Sequence, residues 1–310
     1  MKENISDLIV NFYLDKYSTK APAPIQDAYC QQAITFNHGI GDTAIINNLS
    51  YNADGSYSNI SIYSHGHHFN SILNYNKYKD KNSFQPDAPT IRTEVLENFN
   101  FGPGHLIQTL RRAFGLDEIL KPRAPLFTGK IPKKNKIGVH LSTGVSAFEL
   151  SNIKNSPRQI YPENIDIIKE LILENSSEYE FVEFGGESLG LGCTSFCGRN
   201  LTESIEELST CDYFIGLNSG FMNLAASLDI KSIIIVNIPE SEDLVLPRLK
   251  DLKISDANWL YPQNVHLHQD NSTTLVPRLS KDNILKAING EIYPFWSNDY
   301  LDLIFHKFNS

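Results

Sequence analysis

Cysteine is scarce in this chain, with four in 310 residues at Cys30, Cys193, Cys197 and Cys211. That is too few and too scattered for a disulfide framework at this length. Cys193 and Cys197 have no second pair and no histidine near them in sequence, which speaks against a structural zinc site. No apolar run approaches the roughly 18 residues that a membrane-spanning helix requires. The first residues, Met1-Lys2-Glu3-Asn4-Ile5-Ser6-Asp7, carry acids where an export signal has its basic region, so a cytoplasmic protein is expected. Positive charge is also in deficit: 27 Lys and Arg face 36 Asp and Glu, a net of −9. Residues 1–130 hold twelve of each sign, so the whole acidic excess falls in residues 131–310. Binders of duplex nucleic acid carry a basic footprint, and neither part is basic overall. One local exception runs from Arg111 through Arg112, Lys121, Arg123, Lys130, Lys133 and Lys134 to Lys136. It reads either as a solvated linker or as a basic wall beside an anionic ligand.

What is present is an α/β pattern. A hydrophobic share of 41% excludes wholesale disorder, and the length suggests about two domains. The Pro- and Lys-rich stretch from Lys121 to Lys134 marks the boundary, giving a first domain over 1–132 and a second over 133–292. In the first, Ala33-Ile34-Thr35-Phe36 reads as a strand that runs into Asn37-His38-Gly39-Ile40-Gly41-Asp42. Ala44, Ile45, Ile46 and Leu49 then recur at helical spacing. A second strand over 60–63 precedes His65-Gly66-His67-His68. Residues 105–116 read as an amphipathic helix with Gly115 at its C-cap. The second domain alternates strands over 137–141, 180–184, 213–217 and 232–236 with helices near 162–175, 202–209 and 221–228. This implies a parallel sheet covered on both faces. The segment 295–305 has aromatic and aliphatic residues at helical spacing.

Ligands on such sheets bind beyond the carboxyl ends of the strands, and three loops there carry suitable chemistry. Asn218-Ser219-Gly220-Phe221-Met222-Asn223 links a buried strand to a helix, whose first amides and dipole suit a phosphate; Ser219 can equally be a plain N-cap. Ser142 and Thr143 place hydroxyls after Val139-His140-Leu141, and Glu187 follows Gly185-Gly186, where a carboxylate can accept ribose hydroxyls. Together they read as a nucleoside-diphosphate pocket. The three histidines His65, His67 and His68 lack a carboxylate or Cys at metal-like spacing, so no metal site is expected.

The stretch from Asn200 to Val236 with its Asn-Ser-Gly loop, the His38-Gly39-Ile40-Gly41-Asp42 loop, and His105–Leu116 together resemble glycosyltransferase family 9, the ADP-heptose:lipopolysaccharide heptosyltransferases and their relatives. The resemblance covers most of residues 32–238, in order. It implies a GT-B fold: two Rossmann-like domains with parallel sheets facing across a cleft, donor on the second, acceptor on the first. The segment 293–310 would then be a helix crossing back to the first domain. It implies no cofactor beyond a nucleotide-sugar co-substrate. Asp42 falls where the family has its general base, though it can also cap the helix that follows. Ser142, Thr143, Glu187 and residues 218–223 match the donor site, and Arg158 in Arg158-Gln159-Ile160-Tyr161-Pro162 loosely matches its cation. His38, Gly39, Gly41, His65 and His105 fall on the acceptor side. Where the family pattern has Asp and His, this chain has Asn218 and Asn223, which keep hydrogen bonding but lose charge and titration.

The expected activity is inverting, metal-independent transfer of a sugar from a nucleotide-diphosphate donor to a hydroxyl of a lipopolysaccharide-like glycan or glycolipid. Such an acceptor leaves peripheral membrane contact open. Two other readings stay open: a GT-B transferase acting on protein or a modified nucleic-acid base, and a non-catalytic nucleotide- or sugar-binding module.

Overall fold

The computed structural model describes residues 33–36, 39–64, 67–81, 105–117, 119, 123–143, 159–236, 261, 263–269 and 277–294. These fall into two compact units: one holds the residues up to Phe127 together with Tyr261, and the other holds the rest from Thr128 onward.

In unit 1, β1 (Ala33–Phe36) pairs in parallel with β2 (Ser61–Ser64), in the register Ile34 to Ile62. Parallel neighbours need a crossover, and α1 (Ile40–Ile46) with the 3₁₀ turn Asn47–Ser50 lies within it. α1 begins earlier than its apolar spacing suggests. Gly39, extended, is its N-cap and its carbonyl accepts from the Thr43 amide at 3.0 Å. Asp42 therefore stands in the first turn, three residues past the N-cap. α2 (His67–Leu73) and α3 (Leu106–Ala113) follow. Gly115 adopts φ +66° and Leu116 N bonds back to Arg111 O at 2.8 Å, the glycine-dependent ending expected for α3.

Unit 2 holds six parallel strands: β3 (Lys133–His140), β4 (Glu180–Glu183), β5 (Thr194–Ser195), β6 (Cys211–Leu217), β7 (Lys231–Val236) and β8 (Val265–His268). Their order is β5-β4-β3-β6-β7-β8, all neighbours parallel. The helices α4 (Pro162–Asn175), α5 (Leu201–Leu208), α6 (Gly220–Ser227) and α7 (Lys281–Ile288) lie between or after them. Strands buried on both faces read as continuous apolar runs, and Phe214, Ile215, Leu217, Ile234 and Ile235 are fully enclosed. β5 and β8 are absent from the sequence reading because a two-residue strand and the alternating Val-His-Leu-His carry little propensity of their own.

The order has a functional consequence. From β3 the chain builds outward through β4 and β5, then returns to the other side of β3 and builds through β6, β7 and β8. The strand order therefore reverses between β3 and β6, where a doubly wound sheet opens a crevice at its carboxyl ends.

The basic run from Arg111 to Lys136 is divided: Lys130 and Lys134 are exposed and Arg123 is partly buried, while three others are enclosed or paired. Arg111 is 0% exposed, Lys133 is paired with Glu180, and buried Lys136 is paired with Glu207. Arg112 and Lys121 lie outside the residues whose side chains are described.

Candidate functional site at the β3–β6 crevice

The residues at the reversal come from two strand ends in direct register, His140 opposite Gly216. Beyond β6, Asn218 is buried and Ser219 caps α6 in an extended conformation, φ −151° and ψ 173°. Its Oγ accepts from the Met222 amide at 3.4 Å. Met222 and Asn223 turn inward. Asn223, 1% exposed, donates its Nδ2 to Ser219 O at 3.0 Å and so braces the turn from beneath. Ser219, Gly220 and Phe221 remain partly exposed. The six-residue loop thus divides into an outer half that a ligand can reach and an inner half that supports it. The amides of Gly220 and Phe221 open the helix, where no intrahelical acceptor exists and the dipole is positive.

On the β3 side, Leu141 is buried while Ser142 and Thr143 are half-exposed. The β4 end contributes Glu187, exposed in the turn after the strand. Its loop is held from within by Glu183, whose buried carboxylate accepts from Ser188 Oγ at 2.5 Å and from Leu189 N at 2.6 Å. β4, β3 and β6 are neighbours, so the structure brings the three sequence-predicted loops to one edge. Arg158 lies outside the described residues, as do His38 and His65.

In unit 1, Gly39 is exposed and Gly41 and Asp42 are half-exposed at the opening of α1. A Cβ on Gly39 would stand 3.3 Å from Asp42 Oδ2, so the carboxylate folds over a position where a side chain would crowd it. His105 is only 4% exposed. Its Nδ1 accepts from the Ile107 amide at 3.1 Å and its ring lies 4.0 Å from that of buried Tyr261. The structure places it as an internal cap of α3, away from the surface where an acceptor contact belongs.

Two residues that sequence reasoning passed over organise the edge. The first is His140, 5% exposed, whose Nδ1 stands 3.2 Å from Ser219 Oγ and whose ring stacks on Phe221 at 4.5 Å and 22°. Burial pushes this imidazole down to about 4, so it is neutral near pH 7. Phe221 also lies 5.6 Å from the Phe184 ring. The second is buried Gln269, just past β8. Its Oε1 accepts from the Tyr161 amide at 2.6 Å, its Nε2 donates to Gln159 O, and its carbonyl accepts from Asn164 Nδ2 at 3.0 Å. It ties down the segment that follows Arg158. A histidine closing an apolar strand was the only sequence signal for the first, and none marked the second.

Among the described residues, no group of three or more His, Cys, Asp or Glu is placed to hold a metal ion, and no helix is long and apolar enough to cross a membrane. Burial raises the Cys193 thiol to about 11, leaving it protonated and a poor ligand.

Among solved structures, the E. coli heptosyltransferase WaaC with ADP-2-deoxy-2-fluoro heptose is similar at a TM-score of 0.50 and 10% identity, covering 84% of this chain and 99% of that one. This chain shares the fold of that structure. E. coli ADP-heptose lps heptosyltransferase II is similar at a TM-score of 0.46 and 11% identity, covering 84% of this chain and 98% of that one. The iron-containing dodecameric glycosyltransferase TibC from enterotoxigenic E. coli H10407 is similar at 0.45 and 16% identity. That match covers 66% of this chain and spans 57% of TibC. No family model and no curated protein matches the chain. Of the two units, the one with the six-stranded sheet carries the better-defined candidate site.

Proposed function

We propose that this protein is a cytoplasmic glycosyltransferase that moves a sugar, with inversion and without a metal, from a nucleoside-diphosphate donor to a hydroxyl of a lipopolysaccharide-like glycan or glycolipid. The observation that carries this reading is the coincidence of three features. The strand order reverses between β3 and β6, the exposed Ser219-Gly220-Phe221 turn opens α6 at that point, and the Ser142-Thr143 hydroxyls flank it. Backbone amides and hydroxyls preorganised there stabilise the charge that develops on a departing diphosphate. Neutral His140 cannot serve as the counter-cation, so that role goes to Arg158. Glu187 takes the nucleoside, and Asn218, Met222 and Asn223 hold the turn in shape.

Residues 133–292 then serve the donor and 1–132 the acceptor. Asp42 withdraws the proton from the acceptor hydroxyl, a contribution of roughly 10²–10⁴-fold. Gly39 and Gly41 keep the backbone around it open, and His38 and His65 contact the acceptor. The similarity to a heptosyltransferase solved with an ADP-sugar analogue puts ADP-sugars first among donors to try.

The test is a thermal-shift panel of ADP, GDP, UDP and CDP and their sugar conjugates, with and without chelator. Ligand at about 100 times its Kd adds about 2.7 kcal/mol to stability and raises the melting point. A rise with at least one nucleotide, indifferent to chelation, is the expected outcome. A flat response to all of them removes the donor site.

A further inference from the structure

Ser219 Oγ is engaged from two sides. The Met222 amide donates to it from within α6, and His140 Nδ1 faces it from the end of β3. The imidazole has little freedom, being buried, stacked on Phe221 and carried by a backbone in register with Gly216. A neutral ring bears one hydrogen, and its location decides what the serine does. With Nδ1 bare, the Ser219 hydroxyl donates inward to the ring. With the hydrogen on Nδ1, Oγ accepts from both the ring and the Met222 amide, and its own proton is directed away from them, towards the partly exposed side of the turn.

We propose that His140 is a positioning residue for the donor: as its Nδ1–H tautomer it turns the Ser219 hydroxyl outward to donate to a phosphate oxygen, while its face holds Phe221 at the mouth of α6. This rests on the reading of that turn as the diphosphate site. An arriving diphosphate selects this tautomer, because the other withholds the Ser219 hydroxyl and leaves the anion one donor short. The ring proton moves from Nε2 to Nδ1 and nothing else changes in charge. The device also explains why a histidine stands at a strand end whose neighbours would suit an apolar side chain: Phe alone would keep the stack and lose the orientation.

The experiment uses the full-length protein and whichever of ADP, GDP, UDP and CDP binds the wild type best by calorimetry. His140→Phe keeps a flat ring against Phe221 without a nitrogen, and His140→Asn keeps an N–H near the Nδ1 position. Expected is an affinity loss of about tenfold or more in His140→Phe, since hydrogen bonds to charged groups are worth that much. His140→Asn should recover most of it. His140→Phe on top of Ser219→Ala should cost nothing further, as residues acting through one another are not additive. Imidazole ¹⁵N spectra of the wild type should show Nδ1 becoming protonated as the nucleotide saturates. Affinity in His140→Phe within about twofold of wild type, additive losses in the double variant, or Nδ1 bare in the complex would each overturn the proposal. If His140→Phe does not fold, the ring spectrum of the wild type decides by itself. Failure of the wild type to bind any of the four nucleotides overturns the donor reading, and this one with it. Tight wild-type binding with an indifferent His140→Phe overturns only the role of His140.

Discussion

The two units keep their polar groups in opposite places. Unit 2 has an apolar interior of strand residues, and its buried hydrogen-bonding side chains lie at the ends of the strands: His140 with Ser219, Glu183 with Ser188 and Gln269 with Asn164 at the carboxyl edge, and Lys136 with Glu207 and Thr210 at the other. Unit 1 carries a polar network through its interior. Arg111, fully enclosed, donates from Nη1 to Asn48 Oδ1 at 2.9 Å and to Tyr51 O at 2.7 Å. Tyr51 donates to Asn76 Oδ1 at 2.8 Å, and Asn76 donates to Asn47. Burial raises the Tyr51 hydroxyl to about 12, so it stays a donor. Apolar burial is non-directional and tolerates substitution of similar volume. A buried polar network holds one arrangement and fails when one member is lost. The network reaches the 3₁₀ turn that directly follows α1, which carries Asp42. Unit 1 thus uses hydrogen bonds to hold its candidate base, and unit 2 uses a packed sheet to hold its candidate anion site.

The sharpest way to break the comparison is to strike each unit at its proposed task. Asp42→Ala should lower kcat by about 10²–10⁴-fold with donor affinity nearly unchanged, whereas Gly220→Val should remove donor affinity by filling the diphosphate position. Steady-state kinetics and calorimetry together read this, and equal loss of donor binding in Asp42→Ala would make that residue structural. Next in size, Arg111→Met takes the donor from Asn48 Oδ1 and from the carbonyls of Tyr51 and Asp117 and should destabilise unit 1 by about 1–3 kcal/mol for each acceptor left unsatisfied. Hydrogen-exchange mass spectrometry should show α1 and α3 losing protection while the six-stranded sheet keeps it; uniform loss would mean the units do not unfold independently.

Acid should act on unit 2. His140 and His266, held at about 4 and about 3, take up protons in the unfolded chain near pH 6.5 but not in the folded one. The unfolded state therefore binds more protons between those limits, and stability is present above pH 6.5 and lost as pH falls through the folded values. Each ring accounts for on the order of 2–3 kcal/mol, and denaturant midpoints from pH 7 to 4 should fall accordingly; a pH-independent midpoint would contradict it. The smallest effect belongs to Gly216→Ala. A Cβ there would lie 2.5 Å from the Phe214 ring and 3.1 Å from His140 O, which predicts a loss of about 1–3 kcal/mol by overpacking. Urea denaturation checks it, and a neutral result would show that β3 and β6 can separate slightly at the reversal.

Much of unit 2 was legible because its signals are local. Cys211–Leu217 is apolar over a strand's length and is followed by a cap residue, so strand, turn and helix all show within sixteen residues. Arg111 misled for the opposite reason. A cation on a charged stretch reads as solvated, yet its acceptors at Asn48 and Tyr51 lie about sixty residues away, and no local pattern announces them. His105 misled similarly, since its partner Tyr261 lies far along the chain.

The sequence by itself determined the alternation of strands and helices, the turn that opens α6, and the deficit of positive charge, because periodicity, capping and composition act between near neighbours or over the whole chain. Only the tertiary structure decided that β3 lies beside β6, so that His140 meets Ser219 across 79 positions and Asn223 faces inward. Strand pairing across a crossover is settled by how helices cover the sheet, and the side chains that meet at its edge carry no record of one another until the sheet has formed.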